Sequence, residues 1–173
     1  MLSLNATQRF ADMPSSGSIE LANGSLFDSG AEVLVNPVNC VGVMGAGLAL
    51  EFRRLFPEYY RAYGAACRAR RLRLGTVHLY HLSSEETVPR IIVSFPTKGH
   101  FRHQSRLSDI DAGLADMADR LRVVEPSIRS AAVPALGCGL GGLSWADVRP
   151  VMVRRLRGLA EAGVTVVVYE PTV

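Results

Sequence analysis

Short apolar runs alternate along the chain with longer stretches in which apolar positions recur every three or four residues. The short runs predict six strands, at Ile19–Asn23, Glu32–Val38, Thr76–His81, Arg90–Phe95, Ala131–Ala135 and Val164–Tyr169. Helical spacing covers Gly47–Leu55, Glu58–Arg71, Leu107–Val124 and Trp145–Ala162. Runs such as Val-Thr-Val-Val-Val-Tyr are apolar at successive positions, as strands buried on both faces are. Strand and helix in alternation then predict an α/β sandwich around a mixed, largely parallel sheet. Ser105 or Ser108 is expected to cap the third helix and Ser144 the fourth, with Asp147 in its first turn, Pro150 bending it and Gly163 ending it. Residues 1–17 have several breakers and little periodicity, and read as a flexible arm ahead of one domain over 18–173.

With 173 residues, 48% hydrophobic and 20% charged, the chain can bury one full core. No apolar run approaches a membrane span and the first residues lack the order of a signal peptide, so a cytoplasmic location is expected. A net charge of +3 permits an anionic ligand without demanding nucleic acid. The arginine runs at Arg68, Arg70, Arg71 and Arg73, and at Arg154, Arg155 and Arg157, read as solvated helix faces. Cys40, Cys67 and Cys138 are far apart without CxxC spacing, so neither a disulfide framework nor a metal site is expected. One basic residue is out of pattern: Lys98 is the only lysine beside eighteen arginines. Unlike a guanidinium, an amine can give up its proton and act as acid, base or nucleophile.

Two glycine-rich loops each follow a strand and lead into a helix. They are Asn36-Pro-Val-Asn-Cys-Val-Gly-Val-Met-Gly-Ala-Gly-Leu-Ala-Leu50 and Pro134-Ala-Leu-Gly-Cys-Gly-Leu-Gly-Gly-Leu-Ser-Trp145. Glycines let backbone amides close on an anion, and a helix N-terminus adds free N–H groups, so the pair suits a pyrophosphate. Neither loop matches GxxxxGK[ST] or a complete GxGxxG. Asn39, entering the first loop, is placed to meet a ribose hydroxyl; Asn36 can equally serve its own turn. A third loop, Phe95-Pro-Thr-Lys-Gly-His-Phe-Arg-His-Gln-Ser-Arg106, leaves another strand end and brings Lys98, His100, Arg102, His103 and Arg106 within nine residues. It reads either as a solvated basic loop or as an amine and imidazoles at the ligand edge of the sheet. Cys40 and Cys138 have no obvious His–Asp partner, so thiol catalysis is not expected.

At these motifs, from about Ile19 to Tyr169, the chain resembles the macro domain family, α/β/α three-layer sandwiches that bind ADP-ribose across the top of a mixed sheet. The glycine loops, Phe-Pro-Thr-Lys-Gly-His-Phe-Arg and Asp-Ile-Asp-Ala-Gly-Leu resemble the DarG-type DNA ADP-ribosyl glycohydrolase antitoxins, and are also similar to terminal ADP-ribose protein glycohydrolase. The resemblance implies that Gly45, Ala46, Gly47, Leu48, Gly137, Cys138, Gly139, Leu140 and Gly141 wrap the diphosphate and distal ribose. Ser25, Leu26, Asn36, Cys40, Val43 and Thr97 would complete the ligand set, and Tyr169 would stack on adenine. Lys98 and Asn39 would carry the chemistry. Beside the pocket, His100, Arg102, His103 and Arg106 are the candidates for holding nucleic acid.

Two departures bear on this. The usual Gly-Asp-Leu after the first strand is Gly24-Ser25-Leu26, without the acidic partner of the adenine amino group. Gly141 stands where the protein-directed glycohydrolase has aspartate; DarG-type sequences have glycine there too. The resemblance therefore implies a hydrolase that removes ADP-ribose from thymidine in single-stranded DNA, an antitoxin or repair activity. It would need no cofactor, act as a monomer and be paired with a DarT-like ADP-ribosyltransferase toxin. A non-catalytic ADP-ribose reader, and a hydrolase of ADP-ribosylated protein or O-acetyl-ADP-ribose, are the alternatives.

Overall fold

A computed structural model describes residues 17–83, 87–124 and 127–172. Nearly all of the expected N-terminal arm, residues 1–16, lies outside them. Among the described residues the apolar runs become β1 (Ile19–Ala22), β2 (Val33–Asn39), β3 (His78–His81), β4 (Ile91–Lys98), β5 (Ser130–Pro134) and β6 (Thr165–Tyr169). The amphipathic stretches become α1 (Gly47–Leu55), α2 (Pro57–Arg68), α3 (Leu107–Arg122) and α4 (Trp145–Glu161). A single 3-10 turn at Leu26–Asp28, which the periodicity did not predict, is capped by the Ser25 side chain, whose Oγ accepts from Phe27 N at 3.3 Å.

The strands form one sheet in the order β1-β6-β5-β2-β4-β3, parallel except where β3 meets β4. Strand alternation sorts side chains into two layers. Val33, Val35, Ile91, Val93, Phe95, Ala131 and Val133 face α3 and α4, while Leu34, Val38, Ile92 and Ala132 face α1 and α2. At Gly113 helix α3 comes so close to β4 that an added Cβ would sit 2.6 Å from the Phe95 ring.

Two helix-start expectations change. Arg106, not Ser105 or Ser108, holds the cap position of α3, and neither it nor Ser144 at the start of α4 makes a side-chain cap bond. Ser105 Oγ is instead buried without a partner among the described residues. Ser105 N donates to Gly141 O at 2.9 Å, which ties the approach to α3 to the second glycine loop.

The order reverses between β2 and β5, the switch point at which open α/β sheets place their ligands. These strands pair only at Val33↔Ala131 and Leu34↔Ala132 and then part. On its other side β2 stays with β4 to the end, whereas β3 leaves β4 after Ser94. Strand β4 thus runs three residues past the expected Phe95. Proline at Pro37 and Pro96 fits here, because each strand has lost a neighbour and a missing N–H need not break a ladder.

Candidate functional site

Where β2 and β5 part, a cleft of about 1160 Å³ opens at the carboxyl ends of the strands. Both glycine loops, the end of β4 and the segment after β6 line it.

The first loop is folded around Asn39. Its Oδ1 accepts from Val41 N (3.0 Å) and Val43 N (3.3 Å), and its Nδ2 donates to Val43 O (2.7 Å). Tyr63 of α2 braces it from beneath, its hydroxyl proton shared between Asn39 O (2.8 Å) and Oδ1 (2.9 Å). Burial pushes the Tyr63 phenol up, so it remains a neutral donor. Met44, fully buried, plugs the loop into the core. Beyond it Gly45, Ala46 and Gly47 are exposed at the start of α1, with Gly47 at φ +56°, and no side chain caps that helix. Gly45 to Ala49 line the cleft with the first amides of the helix uncapped by any side chain, the arrangement that binds anions.

The second loop closes on itself: Cys138 N donates to Ala135 O, Gly142 N to Gly139 O and Leu143 N to Gly137 O. Gly137 takes φ +76°, and Gly141 has no room for a side chain. A Cβ there would lie 2.3 Å from Ser105 Oγ and 2.6 Å from Gly137 O.

Lys98 ends β4 at the cleft, half-buried, and its Nζ donates to Leu140 O across the opening at 3.2 Å. Cys40 N donates to Gly99 O at 3.1 Å and joins the first loop to the lysine loop. The cleft therefore gathers an amine, two amide-lined loops and a floor of Val38, Asn39 and Thr97.

Of the residues picked from sequence, Ser25, Leu26, Asn39, Val43, Gly45, Ala46, Gly47, Leu48, Thr97, Lys98, Gly137, Cys138, Gly139, Leu140, Gly141 and Tyr169 line the cleft. Asn36 and Cys40 do not. Asn36 is fully buried on the α2 side, where its Nδ2 donates to Tyr59 OH at 3.2 Å and contacts Met44 Sδ at 3.8 Å. Tyr59 OH in turn bonds Ser94 Oγ at 2.7 Å. Asn36 thus belongs to a polar cluster that supports the loop from below. The Cys40 thiol is pushed up to about 11 by burial and by neighbouring Cys67, and that of Cys138 to about 11 by burial. Neither is a ready nucleophile at neutral pH.

His100, Arg102, His103 and Arg106 lie outside the cleft wall; beyond Lys98, the residue of that loop that enters it is Phe101. Sequence reasoning also missed Asn23, Glu51 and Glu170 in the lining. Glu170 Oε1 accepts from Trp145 Nε1 at 3.4 Å. Among the described residues no group of His, Cys, Asp and Glu is placed to hold a metal ion, and no helix is long and apolar enough to cross a membrane.

The Macro domain family pattern matches residues 35–152. The chain is 42% identical over 153 residues to the DNA ADP-ribosyl glycohydrolase of Thermus aquaticus, covering 88% of this chain and 41% of that protein. It is 36% identical to a DNA ADP-ribosyl transferase-DNA ADP-ribosyl glycohydrolase fusion protein of Thermosipho africanus, over 82% of this chain and 40% of the fusion. The chain thus spans about two fifths of the length of these curated relatives. The solved macrodomain of Mycobacterium tuberculosis DarG superposes with TM-score 0.84 at 42% identity, covering 90% of this chain and 99% of that one. The structure of Thermosipho africanus DarTG in complex with ADP-ribose superposes with TM-score 0.81 at 36% identity, over 92% of this chain and 43% of that one.

Proposed function

The chain belongs to the macro domain family, and from that premise we propose that it is an ADP-ribosyl glycohydrolase, removing ADP-ribose from thymidine in single-stranded DNA. One observation carries the proposal: the amine of the only lysine stands in the cleft between two glycine loops. The likeness to DNA ADP-ribosyl glycohydrolases over most of the chain supports the substrate class.

The free amides of α1 and the second loop hold the diphosphate and, with Asn39, fix the distal ribose. As the bond from the anomeric carbon to the base breaks, the sugar becomes cation-like and negative charge builds on the base. The Lys98 ammonium meets that charge and supplies the proton the base needs to leave. Water then adds to the anomeric carbon and its released proton restores the ammonium, giving free ADP-ribose and unmodified base. The loops act by holding and by electrostatics, which are effective because the donors need no rearrangement. An aspartate-assisted route through position 141 has no space here.

In this reading the protein works in the cytoplasm as a monomer, one macro domain from about residue 18 onward, opposite a DarT-like transferase. The Thermosipho africanus fusion of transferase and glycohydrolase supports that pairing.

The test is release of ADP-ribose from modified single-stranded DNA and modified protein by wild type and Lys98→Ala. Release from DNA by wild type is expected, with a drop of about 10²-fold or more in the variant, the usual scale for a lost acid–base group. A variant as fast as wild type overturns the role of Lys98. A wild type that binds ADP-ribose and cleaves neither substrate is a reader.

A further inference from the structure

The groups of ADP-ribose that the two loops would hold are polar, yet three exposed apolar side chains stand in the cleft wall: Val43, Phe101 and Leu140, at 39%, 42% and 73% exposure. Two of them are tied to Lys98, one along the chain and one through a hydrogen bond. Phe101 follows Lys98 by three residues in the same wall, and Leu140 supplies the carbonyl that Nζ bonds. The ring of Phe101 is held by His100. His100 packs on it at a centroid distance of 4.1 Å and a tilt of 31°, with His103 5.4 Å from His100, while the Arg102 guanidinium lies 5.6 Å from its centroid. Residues 98–106 contain no acid.

A fixed, partly exposed aromatic ring among cations, beside the group that meets the leaving group, suits a flat π-system on an anionic chain. A nucleobase has such a face; a protein carboxylate has none. We propose that Phe101 stacks on the nucleobase that carries the ADP-ribose, holding it against Lys98 while the bond to the sugar breaks, and so distinguishes base acceptors from carboxylate acceptors. The proposal rests on the DNA glycohydrolase reading. The base then meets the exposed part of the Phe101 ring, while Arg102 and Arg106 stay outside the cleft wall.

The test compares wild type with Phe101→Ala, Phe101→Leu and Phe101→Trp on ADP-ribosyl-thymidine and on an ADP-ribosylated single-stranded oligonucleotide. Free ADP-ribose binding, measured by calorimetry, controls for folding. Alanine and leucine are expected to lose about tenfold or more in kcat/KM on both substrates, the scale of one lost base–aromatic stack. Tryptophan should keep most of the activity, and all three should bind ADP-ribose as wild type does. Equal rates for alanine and wild type overturn the proposal. So does leucine matching tryptophan, which would make the residue an apolar filler, or a loss confined to the oligonucleotide, which would place the ring on a flanking base. If wild type binds ADP-ribose and cleaves neither substrate, the activity reading fails and this proposal with it.

Discussion

Asn39 and Lys98 are neighbours across β2 and β4 because the ladder between these strands slips: Val38 pairs with Pro96, but Asn39 with Lys98. Thr97 is the extra residue, buried with its Oγ1 3.4 Å from Val38 O. One residue of slip reverses which face a strand side chain points to. It sets Lys98 beside the braced asparagine that organises the first loop. In that position a change of group tests the chemistry without a change of fold. Lys98→Arg keeps the charge but not an amine that can release a proton. Release from modified DNA should remain below about a tenth of the wild-type rate, with ADP-ribose affinity kept. Single-turnover rates beside calorimetry read the two separately. Full activity in the arginine variant would make charge alone sufficient.

Gly141 offers the converse test. The resemblance read from the sequence implies aspartate at this position in a protein-directed glycohydrolase, but here an added Cβ meets Ser105 Oγ at 2.3 Å and Gly137 O at 2.6 Å. Ser105 is buried and the other neighbour is backbone, so the loop itself must shift. Gly141→Asp is expected to lose ADP-ribose affinity by about tenfold or more and to melt lower, by an overpacking cost of ~1–3 kcal/mol. Adding Ser105→Gly should recover only part of the loss, because Gly137 O remains. Calorimetric titration and thermal melts of single and double variants check this. Wild-type affinity in the single variant would mean the loop yields freely.

The sheet and its helices were legible because each strand carries a run of apolar residues and each helix a clean stripe. What escaped depends on pairing between distant segments. Nothing local to Phe-Pro-Thr-Lys marks a strand, since proline argues against one until the loss of β3 beyond Ser94 is known. Asn36 and Asn39 look alike in sequence, two strand-end asparagines three residues apart. Only the packing of α2 separates them, with Tyr59 bonded to Asn36 and Tyr63 to Asn39. Tyr59 and Tyr63, four residues apart on α2, are both buried, and their hydroxyls gain a role from what they meet. Phe101 was in view but hidden among the charges of its loop.

The α3–α4 layer has its own electrostatic clamp. Arg155 grips Asp111 with two bonds, Nε to Oδ1 and Nη2 to Oδ2, both 2.8 Å, and Arg154 adds a third at 2.9 Å. Part of the arginine run expected to be merely solvated is therefore engaged. The Arg155 hydrogen bonds, then Arg154, hold the Asp111 carboxyl down at about 2. A depressed carboxyl stabilises the fold above its unfolded value and loses that contribution as pH falls through its folded value. Wild type should therefore melt about 2–4 °C above Asp111→Asn at neutral pH, the equivalent of ~1 kcal/mol for a screened pair in a chain of this size. The gap should be complete above about pH 4 and close on approach to pH 2. Melts of both proteins across that range test it, and a gap that persists at pH 2 would mean the pair contributes through packing instead.

If the cleft reads the base, the cations outside it should act on the strand. Arg102 and Arg106 are exposed and absent from the cleft wall, so they can reach phosphates but not the reacting atoms. Arg106 has a competitor, Asp109 at 3.8 Å, and Arg102 has none of opposite charge in its loop. Replacing both by alanine should raise KM for modified oligonucleotides and leave kcat, and the rate on ADP-ribosyl-thymidine, unchanged. The dependence of log affinity on log salt should become shallower by about 0.7 for each phosphate of a single strand that is no longer neutralised. Arg102 should account for more of the change than Arg106, because Asp109 already neutralises part of the second charge. Fluorescence titrations of the single and double variants at several salt concentrations measure the slopes. Unchanged slopes would place the strand elsewhere on the surface, and a fall in kcat would place these arginines at the reaction itself.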